Sequence, residues 1–200
     1  MSNVVDYYHS LVSPWTYLGG PRFADIVGQA GARVNVKPID LSKVFPVSGG
    51  LPLAKRAPQR QAYRLVELAR WRDHLDMPLN LEPRFFPARD DLAARTVIAA
   101  RQAGADAGGL SHAILRAVWV EERNIADGDV LRAICGENGI DGAALAAAAE
   151  TEAVAAEFAA NTAEAIELGV FGSPSYVYGG ELFWGQDRLD FLARGLAQSI

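Results

Sequence analysis

The 200-residue chain predicts an α/β protein in which a βαβ unit near the N-terminus and a ββα unit near the C-terminus enclose a block of helices. Two observations favour this class. Segments rich in β-branched and aromatic residues lie near both ends of the chain, and the long middle carries apolar residues at helical spacing. With half of its residues hydrophobic and 22% charged, the chain has the composition of a globular protein.

The first unit consists of a strand, a helix and a second strand. The segment "NVVDYYH" predicts the first strand, and "RVNVKPID" alternates in the manner of the second. Between them we expect a helix over Pro14–Gln29, capped by Ser13 and ended by Gly31, since serine caps helices and proline is favoured at the first helical position. A right-handed crossover would make the two strands parallel.

The middle of the chain is predicted to be helical. A Pro/Gly-rich connection, "VFPVSGGLPLAKRAP", precedes it, and "NLEPRFFPARDD" is expected to be a loop. The predicted helices cover residues 59–75, 92–103, 110–122 and 130–135, the segment "GAALAAAAE" after a capping Asp141, and the segment "TEAVAAEFAANTAEAIELG".

The C-terminal unit returns to β structure. Two short strands in "SYVYGGELFWG" are joined by Gly179-Gly180, a hairpin signal, and "DRLDFLARGLAQ" predicts a closing helix with Asp187 near its start. This layout is that of a thioredoxin-like domain formed by residues 1–45 and 170–200. Residues 46–169 would then form a large all-helical insertion.

Composition excludes several classes of function. A formal charge of −5 without a basic run argues against nucleic-acid binding, and apolar segments are too short to span a membrane. Cys135 is the single cysteine, so no intrachain disulfide forms. No Cys/His cluster has metal-ligand spacing, and no dinucleotide or P-loop motif occurs. The start of the chain lacks a secretory leader, so we expect a cytoplasmic protein.

Ser13 is the candidate site residue, and three interpretations stand side by side. Local sequence favours a helix cap worth about 1 kcal/mol. A nucleophile of a catalytic triad is disfavoured, because G-x-S-x-G is absent and His9, His74 and His112 follow no triad order. His9 is expected to be packed or solvated. In the third interpretation, Ser13 caps the helix and also donates a hydrogen bond to a thiolate of a bound molecule.

The third interpretation has adequate energetics. A helix N-terminus favours an anion by about 0.3–2 kcal/mol, and a charge-assisted hydrogen bond adds about 1.5–3 kcal/mol. Together they could lower a thiol pKa of about 8.5 by one to three units, which makes most of it thiolate near neutral pH. A protein without a reactive cysteine would need a cofactor that brings one, and glutathione is the candidate.

The segment around Pro174 would form the second half of this site. Composition alone favours a trans turn proline, whereas the thioredoxin-like layout predicts a cis proline before the third strand. That proline would expose the backbone of Ser173 to the cysteinyl unit of glutathione, which could pair there as a short strand. Asp187 is either a helix cap or a carboxylate that faces an ammonium group.

Two long segments carry a family resemblance. The stretches "DYYHSLVSPWTYLGGPRF" and "GVFGSPSYVYGGELFWGQDRLDFL" resemble the 2-hydroxychromene-2-carboxylate isomerase family, and "RAPQRQAYRLVELARW" and "RAVWVEERNIAD" resemble its helical domain. That family is related to kappa-class glutathione transferases, within the larger group related to the disulfide oxidoreductase DsbA. The resemblance covers essentially the whole chain and implies a glutathione-dependent homodimer.

The resemblance implies roles for individual residues. Ser13 matches the serine that holds the glutathione thiolate, and Arg60 falls where many members carry a lysine near glutathione. The residues implied to bind the cofactor are Ser13, Arg60, Ser173, Pro174, Asp187 and Arg188. Gly50 departs from an asparagine that often contacts glutathione, Ser173 replaces a usual valine, and Ser10 replaces a frequent aspartate.

The implied reaction converts 2-hydroxychromene-2-carboxylate to trans-o-hydroxybenzylidenepyruvate in the catabolism of naphthalene-type aromatics. Glutathione thiolate would add transiently, the ring would open, and rotation followed by loss of the thiolate would regenerate glutathione. The small aromatic substrate needs an apolar slot, for which the candidates are Trp15, Phe85, Phe86 and Trp184. Ordinary core packing is the alternative role of these four rings.

Two other functions remain open from the sequence. A kappa-like glutathione transferase, which conjugates electrophiles, would use the same thiolate site. The ending "GGELFWGQDRL" resembles the isomerase branch more closely. A non-catalytic thioredoxin-fold binding module would also lack the cysteine pair, but it gives no reason for Ser13, Pro174 and Asp187 to occur together.

Overall fold

A four-stranded mixed sheet forms the centre of the protein, for which a computed structural model describes residues 3–198. The strands are β1 (Val4–His9), β2 (Arg33–Pro38), β3 (Ser175–Tyr178) and β4 (Glu181–Trp184). Their order is β2-β1-β3-β4, with β1 parallel to β2 and the other neighbours antiparallel. The predicted βαβ…ββα arrangement and the α/β class are confirmed.

The first helix, α1 (Pro14–Gln29), has the predicted bounds. Ser13 caps its N-terminus with extended backbone angles, and Pro14 occupies the first helical position. After the C-terminus Gly31 has a φ of +58°, a left-handed conformation that glycine adopts without steric cost. Local sequence therefore places Ser13 at the junction between the centre of the sheet and the start of α1.

The helical middle contains one helix that the sequence did not predict. Helix α2 (Leu41–Ser48) extends into the segment expected to be a Pro/Gly-rich connection, although Pro46 lies inside it. Asp40 caps it by accepting from the Ser42 backbone N–H, and Gly49 ends it at a φ of +76°. The cap and the left-handed glycine therefore define this short helix, whereas the proline suggested a loop.

Six further helices complete the middle segment. They are α3 (Pro58–Leu75), α4 (Asp91–Gln102), α5 (Ala107–Trp119), α6 (Gly128–Glu137), α7 (Gly142–Ala149) and α8 (Glu152–Glu167). Two of these helices, α5 and α6, were predicted with the wrong limits. Helix α5 starts and ends three residues before its predicted limits, because Asp106 caps it by accepting from the Gly109 N–H. Helix α6 is longer than expected, because Asp127 caps it by accepting from the Asp129 N–H.

The C-terminal unit ends in helix α9 (Leu189–Ala197). The hairpin turn between β3 and β4 has left-handed φ angles of +60° at Gly179 and +83° at Gly180, as the Gly-Gly signal predicts. A 3-10 turn over Gln186–Arg188 precedes α9. The helix predicted to include Asp187 therefore begins two residues later.

The hydrophobic core connects the sheet unit to the helices. One buried cluster joins Leu11, Tyr17 and Leu18, near the start of α1, with Val97 of α4 and Trp119 of α5. Helix α2 spans the predicted domain limit at residue 45, and the domain division itself stays a prediction. Within residues 3–198, no helix is both long and apolar enough to cross a membrane.

Candidate functional site

A cavity of about 900 Å³ opens where the start of α1 meets the α2–α3 connection, the start of α4 and the entry to β3. Six of the ten residues predicted for the site line it: Ser13, Trp15, Arg60, Phe86, Ser173 and Trp184. The other four, which are Phe85, Pro174, Asp187 and Arg188, lie outside its lining. The fold thus brings both predicted halves of the site to one concave surface.

Ser13 is buried at the start of α1 and uses its hydroxyl in two ways. The Oγ accepts a hydrogen bond from the Thr16 N–H at 3.2 Å, which is the cap, and donates to the Ser173 carbonyl at 3.1 Å. The cap interpretation is therefore confirmed. The same hydroxyl also carries a proton that can be donated into the cavity if the Ser173 carbonyl receives another donor.

The Ser173–Pro174 peptide bond is cis, as the thioredoxin-like layout predicted. The Ser173 side chain, which is 9% exposed, joins β1 to α1. Its Oγ accepts from the Ser10 N–H at 2.9 Å and lies 2.8 Å from the Thr16 hydroxyl. The Ser173 hydroxyl therefore fixes the loop around Ser13, a role that an apolar side chain has no polar atom to perform.

Asp90 is a further site residue, one that the sequence analysis treated as part of a loop. Its Oδ2 accepts from the Ser10 hydroxyl at 2.6 Å and from the Leu11 N–H at 3.0 Å, and the residue lines the cavity. A carboxylate from the start of α4 therefore contacts the loop that leads to Ser13. The acidic pair Asp90-Asp91 at the start of α4 was the available sequence signal, since acids favour helix N-termini.

Burial raises the pKa of the Asp90 carboxyl from its ordinary value of 3.8, and hydrogen bonds from Ser10 and Leu11 oppose this only in part. The folded state consequently binds the proton more tightly than the unfolded chain does. Stability contributed by this group is therefore greatest below pH 3.8 and falls as the pH rises from there to the raised pKa.

For Asp90→Asn we expect a pH-dependent gain relative to the wild type, because the amide oxygen still accepts from Ser10 and carries no charge. The difference in unfolding free energy should grow by about 1.4 kcal/mol for each pH unit inside this window, then stay constant. Urea denaturation at a series of pH values measures it. Asp91→Asn removes a charge from the same end of α4 as a control, and a pH-independent difference for Asp90→Asn would contradict the assignment.

Three arginines of the α2–α3 region line the cavity. Arg56 donates its Nε to the Leu51 carbonyl at 2.8 Å. Arg60 and Arg64 lie one helical turn apart in α3, so they share one face of that helix. Arg60 was predicted from the resemblance, whereas Arg64 was not.

Aromatic side chains form the apolar part of the lining. Phe86 contacts the buried Trp119, with ring centroids 4.8 Å apart, and Trp15 is half-buried. Trp184 is 49% exposed and packs on Phe171, which also lines the cavity and was missed by the sequence analysis. The cavity therefore offers flat apolar walls beside cationic groups.

Phe85 does not contribute to this wall, although it was predicted to. Its ring lies 5.1 Å from the guanidinium carbon of Arg84, which is exposed. The neighbouring Phe86 lines the cavity and Phe85 does not, so the two rings take different surroundings in this turn.

Asp187 does not cap a helix, so that interpretation was wrong. Arg188 occupies the cap position of α9, and no side-chain cap bond forms there or at the 3-10 turn. The Asp187 carboxylate instead accepts from the Arg188 guanidinium at 2.7 Å on the surface. The roles in cofactor binding implied for both residues stay predictions.

Gly50 lines the cavity close to Phe45. A Cβ at residue 50 would clash with the Phe45 ring, so any side chain there requires this ring to move. The aromatic ring of α2 therefore takes space that would otherwise be open to an asparagine, and this chain has no polar group at that point.

His9 was expected to be either packed or solvated, and it is packed. It is fully buried, stacks on Tyr7 with centroids 4.3 Å apart, and has its Nε2 3.1 Å from the Ser111 hydroxyl. Burial lowers the pKa of His9 to about 4, so the imidazole is neutral at physiological pH. It does not line the cavity.

Cys135 is also buried, and burial raises the pKa of its thiol. It lies in α6 and outside the lining of the cavity. Among the side chains of residues 3–198, no group of three or more His, Cys, Asp or Glu is arranged to hold a metal ion. The chemistry-bearing groups at the cavity are therefore hydroxyls, guanidinium groups and the carboxyl groups of Asp40, Asp90 and Asp91.

The chain is similar along nearly its whole length to curated isomerases. The chain is 30% identical over 200 residues to 2-hydroxychromene-2-carboxylate isomerase of Pseudomonas putida, covering 98% of this chain and 95% of the relative. It is 27% identical over 193 residues to the enzyme of that name from Sphingobium xenophagum, covering 96% and 97%.

Comparison with solved structures also finds an isomerase of this name, together with other proteins of the same fold. A structure of selenomethionine-substituted 2-hydroxychromene-2-carboxylate isomerase matches with a TM-score of 0.81 and 26% identity, over 98% of this chain and 95% of the other. The cytosolic disulfide reductase DsbM of Pseudomonas aeruginosa shares the fold, with a TM-score of 0.70 and 21% identity over 98% and 96% of the chains.

The family of DSBA-like thioredoxin domains matches residues 4–197, nearly the whole chain. Together with the full-length similarity to the isomerases, this shows that the chain belongs to the DsbA-like thioredoxin-domain family and, within it, to the 2-hydroxychromene-2-carboxylate isomerases.

Proposed function

We propose that the protein is a glutathione-dependent isomerase that converts 2-hydroxychromene-2-carboxylate to trans-o-hydroxybenzylidenepyruvate. Membership in the isomerase family supports the reaction. The observation that carries the dependence on glutathione is the hydroxyl of Ser13, which lies at a helix N-terminus on the cavity and holds a proton that can be donated.

The residues at the cavity fit glutathione in three respects. The start of α1 favours an anion, and Ser13 supplies a hydroxyl donor there. The Ser173 carbonyl, next to the cis Pro174, can accept from a peptide N–H. Arg60 offers an exposed guanidinium to a carboxylate of the tripeptide.

Binding of glutathione would replace the hydrogen bond between Ser13 and the Ser173 carbonyl by two hydrogen bonds to the tripeptide, one from Ser13 and one to the carbonyl. The Ser13 hydroxyl now donates to the Ser173 carbonyl at 3.1 Å. Once an amide N–H of the tripeptide satisfies that carbonyl, the serine proton is free to turn toward the sulfur, and the cap bond from Thr16 stays in place. Both buried polar groups of the chain remain paired throughout, which avoids the cost of an unsatisfied group.

Glutathione, when bound, supplies a thiolate that adds reversibly to the conjugated substrate and so permits rotation about the former double bond. The chain's own residues bind and orient glutathione and the substrate. Ser13 and the helix end stabilise the negative sulfur, and the rings of Trp15, Phe86 and Trp184 provide flat apolar surface for the substrate.

An assay of purified protein with 2-hydroxychromene-2-carboxylate and glutathione tests the proposal. We expect isomerisation at constant glutathione concentration and little turnover in its absence. Stoichiometric loss of glutathione would instead identify a conjugating transferase with the same thiolate site. Equal turnover without glutathione would contradict the assigned role of the cofactor.

The cytoplasmic location and the homodimer implied by the family resemblance remain predictions. Size-exclusion chromatography with light scattering would measure the mass of the particle in solution. A mass twice that of the 21.5 kDa chain is the expected result.

A further inference from the structure

Arg64 is half-buried and lies against the aromatic wall of the cavity. Its guanidinium carbon lies 5.2 Å from the Phe86 ring centroid and 5.7 Å from that of Trp119. One terminal nitrogen of this group is buried and has no hydrogen-bond partner within residues 3–198. A guanidinium group without an acceptor is costly, and Arg64 lines the cavity, where a ligand could bring an acceptor to its other N–H donors.

The acids near the cavity are engaged elsewhere. Asp40 accepts from Ser42 at the start of α2, and Asp90 accepts from Ser10. Asp91 forms ion pairs with Arg89 and Arg95. No carboxylate among the described residues lies within 4 Å of the Arg64 guanidinium, since every ion pair found there involves other groups.

The local charge is accordingly positive. Burial and the neighbouring charge of Arg56 lower the pKa of Arg64 to about 10, which leaves the group protonated at neutral pH and short of a counterion. An anion in the cavity would stabilise this charge. A planar guanidinium matches a carboxylate with two parallel N–H donors, and the adjoining Phe86 ring would lie beside a flat ligand.

We propose that Arg64 is the specificity residue that binds the carboxylate of the aromatic substrate, with the aromatic part of the substrate packed along Phe86. This inference rests on the proposed function, which supplies a planar carboxylate as substrate. Arg60, one helical turn away and exposed, remains the cation for glutathione, so the two arginines serve different carboxylates.

Binding of two probes that differ only in charge tests this role without turnover. Calorimetry would compare 2-naphthoate with the neutral 2-naphthamide on the wild type, on Arg64→Met and on Arg84→Met. We expect the wild type to prefer 2-naphthoate by at least about tenfold, as a charge-assisted bond implies. Arg64→Met should abolish the preference. Arg84→Met removes another arginine that lies over a ring, outside the cavity lining, and should keep it.

Steady-state kinetics of the isomerase reaction provide a second test of the role of Arg64. In Arg64→Met the KM for the chromene carboxylate should rise by about tenfold or more while the dissociation constant of glutathione stays unchanged. The opposite pattern, weaker glutathione binding with an unchanged KM, would overturn the proposal by assigning the guanidinium to the tripeptide. A charge preference that persists in Arg64→Met would overturn it as well.

Circular dichroism establishes whether the variants are folded. If Arg64→Met does not fold, Arg64→Lys takes its place in both experiments. Lysine keeps the charge without the two-pronged geometry, so it should retain part of the preference; a full preference would contradict the bidentate contact.

Isomerase activity without any preference for 2-naphthoate in the wild type would refute this inference alone. A preference that depends on Arg64 in a chain without isomerase activity would refute the proposed function alone.

Discussion

Replacing Ser13 with alanine is expected to lower the rate of isomerisation by about 10- to 150-fold at neutral pH, the equivalent of one charge-assisted hydrogen bond of about 1.5–3 kcal/mol. The hydroxyl lies at the start of α1 on the cavity wall, and the methyl group of alanine has no proton to donate in its place. The bound thiol then loses stabilisation of its charged form. Initial rates at saturating glutathione measure the effect.

The pH profile separates this electrostatic role from a loss of structure. Without the donor, the pKa of the bound thiol rises, so the rate of Ser13→Ala should recover as the pH increases. A uniform loss of rate at all pH values would contradict the assignment, and unchanged turnover would remove Ser13 from the mechanism.

Ser13→Ala also deletes a helix cap, and the chain offers a matched control for that effect. Thr151 caps α8 in the same way, accepting from the Val154 N–H and donating to the Ala148 carbonyl. Each alanine variant should lose about 1 kcal/mol of stability from its cap. Only Ser13→Ala should lose activity, since Thr151 lies outside the lining of the cavity.

Replacing Ser13 with cysteine should convert the site from one that binds a thiolate to one that forms a disulfide. With glutathione disulfide, the new thiolate would attack one sulfur to give a protein–glutathione mixed disulfide and release one glutathione. The helix N-terminus lowers the pKa of a thiol at this position, which raises its thiolate fraction at neutral pH. Mass spectrometry of the intact protein should find one glutathionyl group per chain.

The wild-type chain is the internal control for that experiment, because its single cysteine, Cys135, is buried in α6 and its thiol pKa is raised. We expect no adduct on the wild type and an unaltered adduct on the double variant Ser13→Cys, Cys135→Ser. Absence of the mixed disulfide in Ser13→Cys would show that the sulfur of glutathione does not reach residue 13.

Local sequence signals predicted the elements that surround the site. The bounds of α1, its cap at Ser13 and the Gly179-Gly180 turn all follow from preferences of single residues for particular backbone conformations. Such preferences are local, so they can be read without knowledge of the fold. Pro46 shows the limit of this reasoning, because a proline that suggested a loop lies inside α2.

The family resemblance added residues that local signals do not specify. It pointed to Ser173 and Arg60, which line the cavity, and to Asp187, whose carboxylate pairs with Arg188 at the surface. The cis bond before Pro174 was predicted correctly from the thioredoxin-like layout, whereas composition alone favoured trans. A match of motifs therefore identified the right region, but it did not tell which side chains face the cavity.

The sequence by itself determined the α/β class, the strand–helix junction at Ser13 and the absence of a reactive cysteine beside it, because each follows from residues adjacent along the chain. Tertiary structure alone decided that Asp90 would reach Ser10 from 80 residues away and that Arg64 would lie unpaired against Phe86. The physical reason is that burial and long-range contacts set the charge and partners of a side chain, and both exist only once distant helices pack together.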